Sequence, residues 1–85
     1  MNARPAKDPD QSRYRGVVGA AIRARREKLG LTVPDLVERL ASEGCQLAEI
    51  AVRQYEQGKR PLPIDALPAF AAALETTIHR LLPMP

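Results

Sequence analysis

The stretch Leu47-Ala48-Glu49-Ile50-Ala51-Val52-Arg53-Gln54-Tyr55-Glu56-Gln57-Gly58-Lys59-Arg60-Pro61 decides how the rest of the chain is read. Leu47, Ala51, Val52 and Tyr55 fall at the spacing of one helical stripe, and the other face carries Glu49, Ile50, Arg53 and Gln54. Gly58 ends the pattern, Lys59 and Arg60 suit the negative end of a helix dipole, and Pro61 follows as a stop. The sequence predicts a short helix with one buried stripe, one presented face and a basic exit.

Working upstream, the next helix is the clearest local signal. Thr32 followed by Asp35 reads as a capping box, Pro34 fits a first turn, and Val33, Leu36, Val37 and Leu40 mark one face. It should end near Ser42, with Glu43-Gly44-Cys45-Gln46 as the link into the opening stretch. Caps in that link are poor, which leaves the start of the third helix open by two or three residues. A first helix is expected over Val17 to Leu29, from Val18, Ile22 and Leu29, with Gly30 as its stop. Arg26 falls on the same apolar stripe. Burying a charge is costly unless it is paired, so Arg26 calls for a carboxylate partner. Arg23, Arg25 and Lys28 fall off the stripe and read as solvated. Residues 1–15 hold Pro5 and Pro9 and little that is apolar, which reads as a flexible basic arm ahead of a domain over 16–85.

Downstream, Pro61-Leu62-Pro63 is a rigid connector. Ile64, Leu67, Phe70, Ala71 and Leu74 form a fourth stripe, interrupted by Pro68. An interior proline costs about 3 kcal/mol in a regular helix. Either Pro68 lies in the first turn of a late-starting helix, with Asp65 as its cap, or the helix bends there. Thr77 can cap a last short helix through Ile78, Leu81 and Leu82, ended by Pro83. The expectation is all-α: a compact bundle of five short helices with no convincing strand.

Bulk properties narrow the function classes. Eighty-five residues accommodate one small domain that buries only about 60% of its unfolded surface. A single cysteine, Cys45, excludes an internal disulfide, and no Cys/His spacing suggests zinc. No apolar run approaches the ~20 residues of a membrane span, and no signal-peptide core opens the chain, which points to a cytoplasmic protein without a membrane partner. The net charge of +3 is unevenly spread: residues 1–30 carry +5 and residues 31–85 carry −2. A basic front half suits a polyanion, although an uneven soluble surface produces the same figure. The sole histidine, His79, has no nucleophile or metal partner at useful spacing, so enzyme chemistry and cofactors are not expected.

The order of these signals resembles the phage repressor and Cro-type helix-turn-helix family, also called XRE-like. The resemblance runs through Ile22-Arg-Ala-Arg-Arg-Glu-Lys-Leu-Gly-Leu-Thr, Leu36-Val-Glu-Arg-Leu, Val52-Arg-Gln-Tyr-Glu-Gln-Gly-Lys-Arg, Phe70-Ala-Ala-Ala-Leu and Ile78-His-Arg-Leu-Leu. It covers about residues 17–82. It implies a lambda-repressor-like domain of five helices in which the second and third form the helix-turn-helix. It also implies an ion pair between Arg26 and Glu56. Two departures stand out: a longer link between Leu40 and Leu47, and Ala48, Glu49, Ile50 and Ala51 where the family usually shows polar side chains.

If the third helix docks as in the family, base edges would be read by Glu49, Ile50, Arg53 and Gln54. Gln54 suits an adenine edge, Arg53 a guanine or a phosphate, Ile50 a thymine methyl and Glu49 a cytosine amino group. Phosphate contacts would come from Lys59, Arg60, backbone amides at the start of the second helix near Val33, and Arg13 and Arg15 of the arm. Members of this family usually bind palindromes as dimers, and Ile78, Leu81, Leu82 and Met84 offer a surface for a homodimer. An apolar tail that only caps its own core is the competing reading. The functional expectation is a regulator that binds specific double-stranded DNA, acting as a repressor. The alternative is an antitoxin or adaptor that uses the same fold to hold a protein partner.

Overall fold

The computed structural model describes residues 9–82. These residues form α1 (Pro9–Lys28), α2 (Val33–Ser42), α3 (Glu49–Glu56), a single 3-10 turn (Ile64–Ala66), α4 (Leu67–Ala73) and α5 (Ile78–Leu81). The five-helix, all-α architecture expected from the periodicity is the architecture found, with no strand among the described residues.

α2 forms as its sequence dictates. The Thr32 hydroxyl accepts from the Asp35 amide at 3.1 Å, and the Asp35 carboxylate accepts from the Thr32 amide at 2.9 Å. Two otherwise orphaned donors are thereby satisfied. Leu36 and Leu40 on the same helix are fully buried. α3 has no such help: its N-cap is Ala48, whose side chain makes no capping bond. Tertiary packing therefore has to hold α3 in place, and Ala51, Val52 and Tyr55 supply that packing.

The core lies where α1, α2, α3 and α4 meet. Ile22, Leu36, Leu40, Val52, Phe70 and Leu74 are its largest fully buried side chains. Tyr55 and Phe70 cross edge to face at 6.1 Å and 89°. That geometry sets the positive ring edge of one aromatic against the negative face of the other. Cys45 is half-buried against this core as a free thiol.

Four helix ends close in the same way. α1, α2 and α3 each finish on a glycine at positive φ, whereas α4 finishes on Glu75 at φ 56°. At α4, the Thr76 amide reaches the Ala71 carbonyl and the Glu75 amide reaches the Ala72 carbonyl, at 2.9 and 3.2 Å. This is the two-bond closure that normally selects glycine. Glu75 instead is held by long-range bonds. Arg39 reaches its carboxylate at 3.0 Å, and Arg25 reaches its carbonyl at 2.8 Å.

The structure corrects four expectations. α1 is already helical at Pro9 rather than from Val17, so residues 9–15 of the supposed arm belong to this helix. No proline lies between Pro9 and Gly30, and the two intervening glycines, Gly16 and Gly19, weaken a helix without breaking it. Pro68 does sit in the first turn of a late-starting helix, but Asp65 does not cap it; the cap position is Ala66. Ile64 is 78% exposed and outside the core, because the 3-10 turn advances by about 120° per residue and rotates it off the α4 stripe. Arg25 is not solvated. It donates to the carbonyls of Leu74 and Glu75, both at 2.8 Å, and Arg39 adds a bond to the Ala73 carbonyl at 3.0 Å. Two arginines from α1 and α2 thus occupy the orphan carbonyls at the end of α4.

Candidate nucleic-acid interface

Two features set the position of α3. Along its flank, α1 comes so close that a Cβ on Gly19 would lie 2.2 Å from the Tyr55 carbonyl oxygen. At its end, Arg26 and Glu56 form a two-pronged pair, Nε to Oε2 at 2.6 Å and a terminal nitrogen to Oε1 at 2.9 Å. The remaining Arg26 terminal nitrogen donates to the Leu31 carbonyl at 2.8 Å. Both side chains are largely removed from water, at 13% and 6% exposure. The hydrogen bond to Glu56 holds the Arg26 guanidinium above the usual arginine pKa, against the opposing effect of burial. The charge needed on the apolar stripe of α1 is therefore balanced, and the pair ties α1 to the last turn of α3.

The outward face of α3 carries Glu49, Ile50, Arg53 and Gln54. Glu49, Ile50 and Arg53 are exposed and Gln54 is half-exposed. Ile50, at 62%, presents an apolar side chain that nothing in the domain covers. Glu49 and Arg53, one turn apart, approach to 3.6 Å with about half of each side chain in water. Such a pair contributes little to stability, at most about 0.5 kcal/mol. Its relevance is to charge: the carboxylate on this face has a cation beside it.

The exit of α3 lies against the N-terminal part of α1. Gly58 has φ 73°, and a Cβ there would meet the Gly16 Cα at 3.0 Å and the Arg15 carbonyl carbon at 3.6 Å. This approach sets the Arg15 backbone of α1 against Gly58, the residue that precedes Lys59 and Arg60 and lies more than forty positions away in the chain. Arg13 and Lys59 are exposed, and Arg15 is half-exposed. The Arg60 guanidinium lies over the Tyr55 ring at 5.9 Å, a cation–π contact that orients it while leaving it at the surface.

The start of α2 offers less. Pro34 has no amide hydrogen, the Asp35 amide is committed to Thr32, and the Leu36 amide bonds the Thr32 carbonyl at 3.0 Å. Only the Val33 amide remains in the first turn, and the Val33 side chain is buried. Beside it a cleft of about 200 Å³ opens between α1, α2 and α3, with Arg23, Arg53 and Gln57 in its walls. Arg23 pairs with Glu27, 3.1 Å away at the surface.

The tail residues divide. Leu81 is 2% exposed and belongs to the core, so it has no surface to offer a second molecule. α5 packs back onto α1 and α4, and this contact consumes the side chain. Ile78 and Leu82 are half-buried against the same core, and Met84 lies outside the described residues. His79 is exposed. Among the described residues no three His, Cys, Asp or Glu side chains gather as metal ligands, and no helix is long and apolar enough to cross a membrane.

The sequence signals missed the arginines that close α4 and the two glycine approaches that seat α3. A clue was present in Gly19, a poor helix former inside a helix that marks a close approach of backbone.

No protein-family model and no curated protein matches this chain. Among solved structures, it is similar to a hypothetical transcription factor, NHTF, from Neisseria. Identity there is 24% and the TM-score 0.73, with all of this chain and 92% of that one covered. That likeness speaks for the fold alone. It is also similar to the DNA-binding domain of BldD, at a TM-score of 0.71 over 85% of this chain. With 30% identity across 97% of that domain, the chain belongs to the family of the BldD DNA-binding domain.

Proposed function

We propose that this protein is a DNA-binding transcriptional regulator of the repressor/Cro type that places α3 in the major groove. The observation that carries the reading is the uncovered face of α3 with, at its basic exit, the approach of Gly58 to Gly16 and the Arg15 backbone of α1. The family relation to a domain named for DNA binding supports it. In this reading Gln54, Arg53, Ile50 and Glu49 read base edges, and Lys59, Arg60, Arg13, Arg15 and the Val33 amide hold phosphates. The Glu49–Arg53 contact lowers the repulsion a lone carboxylate would meet in the groove.

The reading extends to a repressor acting as a homodimer on a palindromic operator, with half-sites about one helical turn (~34 Å) apart. Ile78 and Leu82, with Met84, are the proposed self-association surface, without Leu81. Selection from random duplexes, followed by titration of the enriched sequence at several salt concentrations, tests the proposal. The expected result is salt-sensitive, sequence-selective binding with two-fold symmetric protection. Absence of salt-sensitive binding to any duplex overturns it.

One observation favours a second reading. Ile50 is 62% exposed at the centre of the face, as an anchor for a protein partner would be. An antitoxin or adaptor using this face would co-purify with its partner and lose it on Ile50→Arg, with DNA binding unaffected.

A further inference from the structure

A second cleft, of about 260 Å³, lies between α1 and α5, away from α3. Gly19 and Arg26 of α1 both meet the last turn of α3, whereas this cleft takes Ala21, Ala24, Arg25 and Lys28. Those four recur at helical spacing on another side of the helix. The small side chains of Ala21 and Ala24 leave the space open, and Leu81 of the core contributes an apolar wall.

The polar lining is all of one character. Arg25, Lys28 and Arg80 are its charged side chains, Thr76 contributes a hydroxyl, and no acidic side chain among the described residues lines it. The nearby carboxylates are used elsewhere: Glu27 faces Arg23 and Glu75 faces Arg39. Arg25 is already oriented by the carbonyls of Leu74 and Glu75. Lys28 suits the end of α1. Neither fact accounts for Arg80, or for three basic residues and a threonine lining one hollow. A cleft lined by one sign of charge concentrates counter-ions, and guanidinium groups match the oxygens of a phosphate.

We infer that the Arg25–Lys28–Arg80 cleft binds a small dianion with the chemistry of a phosphate monoester. Arg25 is the fixed donor, Lys28 and Arg80 close over the anion, and Thr76 completes the set. Occupancy would bridge α1 to α5 and so stiffen the C-terminal helix. The inference is independent of what α3 recognises.

The test is a titration of the isotope-labelled full chain with inorganic phosphate, followed by amide NMR at an ionic strength held constant with sodium chloride. Saturable shifts centred on Ala24, Arg25, Lys28, Thr76 and Arg80 are expected. Lys28→Ala and Arg80→Ala should each weaken binding by roughly tenfold, the loss of one charge-assisted hydrogen bond, with the helical fold retained by circular dichroism. Linear shifts without saturation, or shifts that persist in the double variant, overturn the inference. A short DNA duplex in place of phosphate distinguishes the source of the anion. Movement of the cleft resonances with duplex but not with phosphate also overturns it, since the cleft would then follow a nucleic-acid backbone.

Discussion

Arg26 and Glu56 face each other across the α1–α3 boundary in a two-pronged pair, 2.6 and 2.9 Å, from which water is almost excluded. Removing one partner strands the other charge in a site built for two. Arg26→Ala or Glu56→Ala should each destabilise the domain by about 3–5 kcal/mol, measured by urea unfolding. The double replacement Arg26→Met with Glu56→Leu should recover most of that loss. A double variant as unstable as the sum of the singles would show that the two side chains are not coupled and would overturn the stranded-charge account.

The two glycines inside α1 should respond in opposite directions to the same change. Gly19→Ala drives a methyl group into the Tyr55 carbonyl, 2.2 Å away, and should cost more than about 3 kcal/mol by forcing α3 off α1. Gly16→Ala meets nothing within 4 Å. It should stabilise by about 0.5–1 kcal/mol, because alanine has the better helix propensity. Thermal midpoints of the two variants provide the comparison.

Glu75 holds a left-handed backbone conformation at φ 56° that costs a side-chain-bearing residue about 1–2 kcal/mol. Glu75→Gly relieves this while giving up an exposed ion pair to Arg39. The net effect should be stabilisation by about 0.5–1 kcal/mol, read from the denaturant midpoint at unchanged m.

The capping box of α2 predicts a pH dependence. The Thr32 backbone amide, and then its hydroxyl, hold the Asp35 carboxyl below its ordinary pKa of 3.8. A carboxylate depressed in the folded state adds stability that is complete well above the unfolded value. That contribution declines as pH falls past 3.8 and is gone below the folded pKa. Asp35→Asn should therefore lower the melting temperature at neutral pH and converge with the parent in strong acid. Parallel curves at all pH values would contradict this.

On the proposed DNA face, phosphate and base contacts separate by their salt behaviour. Lys59→Ala should weaken binding to all duplexes alike and reduce the salt slope by about one. Gln54→Ala should leave the slope unchanged and relax selectivity at one base pair, worth about 1–3 kcal/mol. Binding isotherms on a matched and a mismatched duplex at three salt concentrations separate the two effects.

The sequence by itself determined the elements whose causes are local. The Thr32–Asp35 box, the glycine stops and the apolar stripes act over three or four residues, so the existence of five helices and the full extent of α2 were legible in it. The mismatch of Arg26 with its apolar neighbours was legible too, since a buried charge demands a partner wherever that partner lies in the chain.

Tertiary structure alone decided the rest. Arg25 reads as a surface charge until α4 is seen to end 49 residues later with bare carbonyls beside it. Ile64 reads as core until a 3-10 turn rotates it outward, and Leu81 reads as a contact surface until α5 folds back over α1 and α4. The approach of Gly58, at the exit of α3, to Gly16 of α1 depends on two backbones closing to a separation that glycine at position 58 allows. Caps and stripes leave a local signature because they involve neighbours in sequence; a contact made across thirty to fifty residues leaves none.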